Sequence, residues 1–119
     1  MEDYRDLVVW QRSMELVKKV YIATRLLPKE ELFVLTSQLR RAVNSIPSNI
    51  AEGYGRHSRN DYLRFLNIAR GSKNEVETQL QICLMLDYLT PEDVAEAQAV
   101  CTEVGKMLNS LINTVESQK

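Results

Sequence analysis

The chain has 119 residues, of which 45% are hydrophobic and 26% charged, and these values are typical of one globular domain. Its first residues are charged, no signal-like apolar run follows them, and 18 apolar residues never stand in a row, so we expect a cytoplasmic protein that is not inserted in a membrane. A net charge of −1 and a pI near 5.9 argue against a dedicated nucleic-acid binder. Only four glycines and three prolines interrupt the chain, which favours long helices.

Two helices are predicted in the first half of the chain. The first covers residues 7–26, where apolar side chains recur at alternating spacings of four and three, and it ends before Pro28. The second covers residues 29–53 and is expected to kink at Pro47, because a proline inside a helix removes a backbone donor and crowds the carbonyl four residues back. The predicted core stripes are Trp10, Met14, Val17, Tyr21 and Thr24 in the first helix, and Leu32, Leu35, Leu39, Val43, Ile46 and Ile50 in the second.

Two longer helices are predicted in the second half. Two glycines end the second helix, and Ser58 with a carboxylate three residues later resembles a cap for a third helix over residues 58–89. Thr90 suits the capping position and Pro91 the first position of a fourth helix over residues 91–116. Connections this short make consecutive helices antiparallel. The sequence therefore predicts an all-α fold in which the whole chain forms one antiparallel, up-and-down four-helix bundle.

Several apolar residues fall outside these core stripes. A monomer in solution rarely leaves much contiguous apolar surface exposed, so we predict that these residues contact another subunit. The alternative is a wide core-facing surface with scattered exposed apolar residues. The predicted contacts are Val9, Leu16 and Val20 in the first helix, and Phe33 and Val34 in the second.

Basic residues are concentrated in the middle of the chain, where residues 40–73 contain seven basic and two acidic side chains. If the second and third helices form a hairpin, one basic pair before the turn lies level with another pair after it, and three more arginines lie near the turn. Repeated around an oligomer, two such bands would engage several phosphates. The alternative is that nearby glutamates neutralise them. The candidate nucleic-acid contacts are Arg40, Arg41, Arg56, Arg59, Arg64, Arg70 and Lys73.

A second group of polar residues lies inside otherwise apolar helices. Residues three or four apart share a helix face, so this group would line one polar seam. Two interpretations remain open: the residues satisfy backbone groups and pair with arginines, or they form a ligand or ion site. The group consists of Asn49, Glu52, Glu75, Glu77 and Gln79.

No catalytic or metal site is expected from the residue types present. The single histidine, His57, falls in the predicted turn, where an exposed side chain is the simpler interpretation. Cys83 and Cys101 lie among apolar residues without the spacing of a metal or redox motif, so we predict buried thiols. Because no serine or cysteine nucleophile has a histidine partner and no glycine loop would hold phosphate, we expect no enzyme, no metal and no cofactor.

One motif resembles a known family. The motif is Ser45-Ile46-Pro47-Ser48-Asn49-Ile50-Ala51-Glu52-Gly53, within similar stretches over residues 38–56, 62–72 and 74–80, and the opening Leu7-Val8-Val9-Trp10-Gln11 is also similar. On these residues the chain resembles the bacterial four-helix bundle proteins first described from 23S ribosomal RNA intervening sequences. The same family includes the accessory variability determinant of diversity-generating retroelements. The resemblance implies an antiparallel four-helix bundle that assembles into a ring-shaped homopentamer.

The resemblance also suggests a function. The retroelement relative binds nucleic acid and a reverse transcriptase through a strongly basic surface, whereas this chain is slightly acidic overall. We therefore predict a non-enzymatic oligomeric adaptor that uses the arginine-rich hairpin to bind RNA, DNA or a protein that handles them. The alternative is a module whose contacts are wholly with protein and whose basic residues form ion pairs between subunits.

Overall fold

The computed structural model describes residues 3–118, which form four α-helices and contain no β-strand. The helices are α1 (Val8–Thr24), α2 (Ser37–Tyr54), α3 (Arg59–Met85) and α4 (Pro91–Ser117). Each helix packs against the next, and α4 packs back against α1, so the four surround one core. The prediction of an all-α fold is confirmed, and the molecule is elongated, with extents of 48 × 24 × 21 Å.

Side-chain contacts show that neighbouring helices run in opposite directions. Between α1 and α4, Arg12 pairs with Glu103 at 2.9 Å. One heptad further along α1, Lys19 pairs with Glu96 at 3.1 Å, one heptad earlier in α4. The other neighbouring pairs show the same reversal. The contacts Thr24–Arg40 and Tyr21–Asn44 join α1 to α2, and Arg70–Asn109 and Lys73–Cys101 join α3 to α4. Between α2 and α3 the contact is Ser45–Ser72, and Glu31, before α2, meets Tyr88, after α3.

The core-facing side of α1 agrees with the prediction only in part, since Trp10, Val17 and Tyr21 do pack against the core. The predicted stripe includes Met14, which is 44% exposed, and its other members apart from Thr24 are only partly buried. A second stripe on this helix repeats at the same spacings but contains Ser13, whose hydroxyl donates to the Trp10 carbonyl at 2.8 Å and so needs no outside partner. This second stripe faces the core and consists of Val9, Ser13, Leu16, Val20 and Ala23.

The predicted subunit contacts on α1 are therefore wrong. Val9, Leu16 and Val20 are buried inside the chain's own core and are not available to a second subunit. The predicted contacts Phe33 and Val34 are both exposed.

The segment before α2 is less regular than predicted. Lys29–Glu31 form a 3₁₀ turn and Leu32–Thr36 a π-helical turn, so α2 begins at Ser37, eight residues later than expected. Pro28 has an extended backbone, with φ −64° and ψ 152°, and so it does not start a helix. Once begun, α2 continues through Pro47, which is buried.

Both long helices start on the side-chain caps that the sequence predicted. The Ser58 hydroxyl accepts a hydrogen bond from the Asp61 backbone N–H at 3.1 Å. At the start of α4, the Thr90 hydroxyl accepts from the Asp93 N–H at 3.2 Å, and the Asp93 carboxylate accepts from the Thr90 N–H at 2.8 Å. α3 ends four residues earlier than predicted, because the chain turns through Asp87, whose left-handed backbone has φ 60°.

The core is one apolar cluster to which all four helices contribute, through fully buried side chains such as Leu16, Leu39, Leu80 and Leu108. Cys83 and Cys101 are buried free thiols, as predicted. None of the helices in the described part of the chain is both long and apolar enough to cross a membrane.

Candidate nucleic-acid interface

A glycine brings the end of α2 very close to the start of α3. A β-carbon added to Gly53 would lie 2.8 Å from the β-carbon of Phe65 and 3.1 Å from the ring of Tyr62. The rings of Tyr54 and Tyr62 meet edge to face, with centroids 6.2 Å apart. The α2–α3 turn is therefore held between packed aromatic residues.

Two arginines, Arg56 in the α2–α3 connection and Arg64 in α3, share one aromatic ring at this turn. The guanidinium of Arg56 lies 4.8 Å from the centroid of the Phe65 ring, and that of Arg64 lies 4.4 Å from it. Arg59, at the start of α3, donates a hydrogen bond to the backbone carbonyl of Gln118, just after α4. We call Arg56, Arg59 and Arg64 the turn cluster, and all three side chains are exposed.

The turn cluster is only partly neutralised by acidic side chains. Arg56 pairs with Glu52 at 2.9 Å, and Arg64 lies 3.9 Å from Asp61. Exposed ion pairs of this kind contribute about 0–1 kcal/mol, so a phosphate group can displace them at little cost. The N-terminus of α3 adds positive partial charge beside Arg59.

A cleft of about 330 Å³ opens beside the turn cluster. His57 lies on its edge and is exposed, and Val115 closes it from α4. Burial raises the pKa of Tyr62 to about 12, so its hydroxyl stays protonated and can donate a hydrogen bond near neutral pH. The cleft is lined by Arg56, His57, Ser58, Arg59, Tyr62, Val115 and Gln118.

The other predicted basic band is divided between two sides of the hairpin. Arg40 is turned toward α1, where its Nε donates to the Thr24 hydroxyl at 3.0 Å. Arg70 and Lys73 are turned toward α4, where Arg70 donates to Asn109 at 3.1 Å. Counting residues from the turn predicted the position of these residues along the helix axes but not the side of the hairpin that each one faces. Arg40, Arg41, Arg70 and Lys73 therefore do not form one band.

Lys73 is poorly accessible, with its side chain 13% exposed. Its Nζ donates to the Glu77 carboxylate at 3.0 Å. A β-carbon added to Gly105 would lie 2.9 Å from the Lys73 Cε, so the lysine side chain packs closely against this glycine. The Lys73 backbone carbonyl accepts from the Cys101 thiol at 3.7 Å. This lysine packs between α3 and α4 and is poorly placed to meet a phosphate.

The predicted polar seam is likewise divided among separate places. Asn49 donates from Nδ2 to the carbonyl and hydroxyl of Ser45, both at 2.8 Å, and Ser72 donates to the same hydroxyl at 2.9 Å. The sequence interpretation missed Ser45 as the centre of this small network, although its spacing of four from Asn49 was a usable signal. Of the others, Glu52 pairs with Arg56, Glu77 with Lys73, Glu75 is exposed, and Gln79 is buried.

The side chain of Gln79 is 8% exposed, and its Oε1 receives no hydrogen bond from residues 3–118. Within the same part of the chain, histidine, cysteine, aspartate and glutamate residues form no group of three that would hold a metal ion. Burial raises the pKa of the Cys101 thiol to about 12, and the nearby Glu77 carboxylate raises it further than Lys73 lowers it. A thiol with so high a pKa is a weak nucleophile near neutral pH.

Comparisons with known proteins identify relatives of this fold. The family model described as 23S rRNA-intervening sequence protein matches residues 5–110. A crystal structure of a protein of unknown function from the S23 ribosomal protein family of Bacteroides thetaiotaomicron is similar, with a TM-score of 0.81 and 32% sequence identity. The match covers 88% of this chain and 98% of that one. No curated protein matches the chain.

Proposed function

Because the chain belongs to the family of 23S rRNA-intervening sequence proteins, we propose that it is a non-enzymatic, oligomeric adaptor of the cytoplasm that binds nucleic acid through the turn cluster. The observation that supports this most strongly is the pair of guanidiniums, from Arg56 and Arg64, on the single ring of Phe65. Two cations positioned on one ring of an exposed turn provide a surface that attracts the phosphates of a nucleic-acid backbone.

The proposal is narrower than the sequence interpretation. Only three of the seven predicted basic contacts, Arg56, Arg59 and Arg64, lie together, and they contact the phosphate backbone in this proposal. Three arginines supply weak, salt-dependent affinity without reading base sequence. An oligomer multiplies that affinity, because several turn clusters engage one strand at once. The ring-shaped homopentamer implied by the family resemblance belongs to the same proposal.

Removing the turn cluster tests the proposal. We expect the triple variant Arg56→Gln, Arg59→Gln, Arg64→Gln to bind a labelled single-stranded RNA at least about tenfold more weakly at low salt. The slope of log affinity against log salt should fall by roughly one for each phosphate-contacting arginine removed. Fluorescence anisotropy over a salt series measures both quantities.

Arg41→Gln is the control for loss of charge outside the turn cluster, because it removes one positive charge from an exposed position on α2, whereas the triple variant removes three from the turn. Its effect should be under about threefold, as expected for a change in overall charge alone. If the unmodified protein binds neither RNA nor DNA at about 50 mM salt, the proposed binding is wrong, and a module that contacts only proteins is the better interpretation.

A further inference from the structure

The π turn at the other end of the bundle holds an aromatic side chain out in solvent. Phe33 is 88% exposed, the largest exposed fraction among the exposed large apolar residues. The carboxylate of Glu31 holds the turn in place, since it accepts from the Leu35 backbone N–H at 3.4 Å and from the Tyr88 hydroxyl at 3.0 Å. Phe33 is therefore carried on a fixed support, which reduces the entropy that its burial in an interface would lose.

A small cleft lies at the same end of the bundle, and its lining includes Leu32, the residue before Phe33. Its volume is about 190 Å³, on the scale of one aromatic side chain. Arg40 forms one wall and is held there, because its Nε donates to the Thr24 hydroxyl at 3.0 Å and its guanidinium lies 4.5 Å from the ring centroid of Tyr21. The rest of the lining is Leu27, Pro28, Leu32 and Thr36, with Arg25 and Lys29 at the rim.

Charge at this end is mixed in a way that suits self-association. Arg25 and Lys29 at the rim are basic, and the exposed Glu30 next to them is acidic. An apolar projection on one copy and a cleft of similar size on the next, with opposite charges beside them, make a heterologous contact of the kind that closes into a ring. A membrane surface rich in anionic lipid would instead favour a uniformly basic rim.

We propose that Phe33 of a second copy of this chain occupies the cleft, with Glu30 of that copy beside Arg25 or Lys29. The inference rests on the oligomeric part of the proposed function and names the surface that makes the contact. A buried phenylalanine contributes about 150–250 Å², whereas a standard interface takes roughly 800 Å² from each partner. Other exposed apolar residues in or next to the α1–α2 and α3–α4 connections, which the Glu31–Tyr88 hydrogen bond joins, complete the contact in this proposal: Leu26, Leu32, Val34, Met85 and Leu86.

Sedimentation velocity of the Phe33→Ser variant tests this contact. Because Phe33 makes few contacts within its own chain, the variant should fold normally, which its circular dichroism and melting temperature will show. Anchors of this kind contribute 2 kcal/mol or more, so we expect self-association to weaken by about 30-fold or more. Ile68→Ser is the matched control, since Ile68 is a 42% exposed apolar residue on α3 and should change association by less than about threefold.

Charge exchange at the rim provides a second test. Glu30→Lys alone should weaken self-association by placing like charges together, and adding Arg25→Glu and Lys29→Glu should restore it. The contact is overturned if Phe33→Ser sediments as the unmodified protein does, or if the exchanged charges fail to restore association.

The two proposals fail in different ways. If Phe33→Ser remains oligomeric while RNA binding still depends on the turn cluster, this contact is wrong and the nucleic-acid proposal stands. If Phe33→Ser dissociates but the unmodified protein binds no RNA or DNA, the contact stands and the nucleic-acid proposal is wrong.

Discussion

The two ends of the bundle place their aromatic residues in opposite ways. At the α2–α3 turn, Phe65 packs beneath two arginines and against Gly53, so the surface presents charge supported by an apolar ring. At the other end, Phe33 projects into solvent, and the charged residues lie beside it. One fold thus separates a charged surface from an apolar one by the length of its helices. Whether a turn presents a charged or an apolar surface therefore depends on the direction of each side chain and not on composition alone.

Filling the close approach at the turn should have the largest effect on stability. In Gly53→Ala, the new β-carbon would meet the β-carbon of Phe65, which the backbone of α3 holds in place. Overpacking costs about 1–3 kcal/mol, and we expect a net loss of up to about 2 kcal/mol in the free energy of unfolding after the gain in helix propensity. Urea unfolding measures the change.

Gly71→Ala is the control for that variant, because nothing lies within 4 Å of its added β-carbon. It should stabilise the protein by about 0.5–1 kcal/mol through helix propensity alone. Equal effects at both positions would show that the helices are not in tight contact at the turn.

The buried Gln79 lies in the half of α3 that leads to the apolar end. Its replacement should change the free energy of unfolding by less than Gly53→Ala does, and in the opposite direction. Gln79→Met keeps a similar length and removes the Oε1 that receives no hydrogen bond from the described residues. An unsatisfied buried polar group costs about 1–3 kcal/mol, and we expect roughly 1 kcal/mol of added stability. The exposed Gln81→Met should be nearly neutral, and a loss of stability in Gln79→Met would show that the amide has an essential partner.

Removing the aromatic support should weaken nucleic-acid binding without removing charge. In Phe65→Leu the guanidiniums of Arg56 and Arg64 lose the ring that positions them, so we expect affinity for single-stranded RNA to fall about two- to fivefold. Phe65→Tyr retains the ring and should bind as the unmodified protein does. Anisotropy at low salt gives both values, and equal losses in the two variants would exclude a role for the ring.

The Cys101 thiol between the two ends has the smallest effect at neutral pH, because it changes stability only in alkaline solution. Its pKa is raised to about 12 in the folded chain, above the ordinary value of 9.0, mainly because burial disfavours the thiolate. The unfolded chain therefore loses this proton first, and stability that is complete below about pH 9 should decline as the pH rises toward 12. Urea unfolding over that range should show a shallower decline in Cys101→Ala, and identical slopes would contradict the raised pKa.

The starts of the helices could be predicted from the sequence where residues close together in the chain form the helix cap. The caps of α3 and α4 follow from Ser58 and from the Thr90 and Asp93 pair, because each involves neighbouring residues only. The core-facing side of α1 was predicted only in part, because two stripes share the same spacing and the more buried one contains Ser13. Helical spacing cannot rank two such stripes when a serine satisfies its own hydrogen bond within the helix.

The candidate site shows the same limit more clearly. Counting residues from the turn placed Arg40 and Lys73 at one height, but contacts with different neighbours turn one toward α1 and the other toward α4. The π turn was not predicted either, and the Glu31 carboxylate at its start contacts Tyr88, which is far away in the chain. Only the turn cluster, whose members are close in sequence, was predicted as a group that the structure keeps together.

The Glu31 carboxylate has one further consequence. One oxygen accepts from the π turn and the other from Tyr88, so a single side chain ties the α1–α2 connection to the α3–α4 connection, 57 residues away in sequence. Neither connection shifts without straining the other. We therefore expect the two loops at this end of the bundle to move together rather than independently.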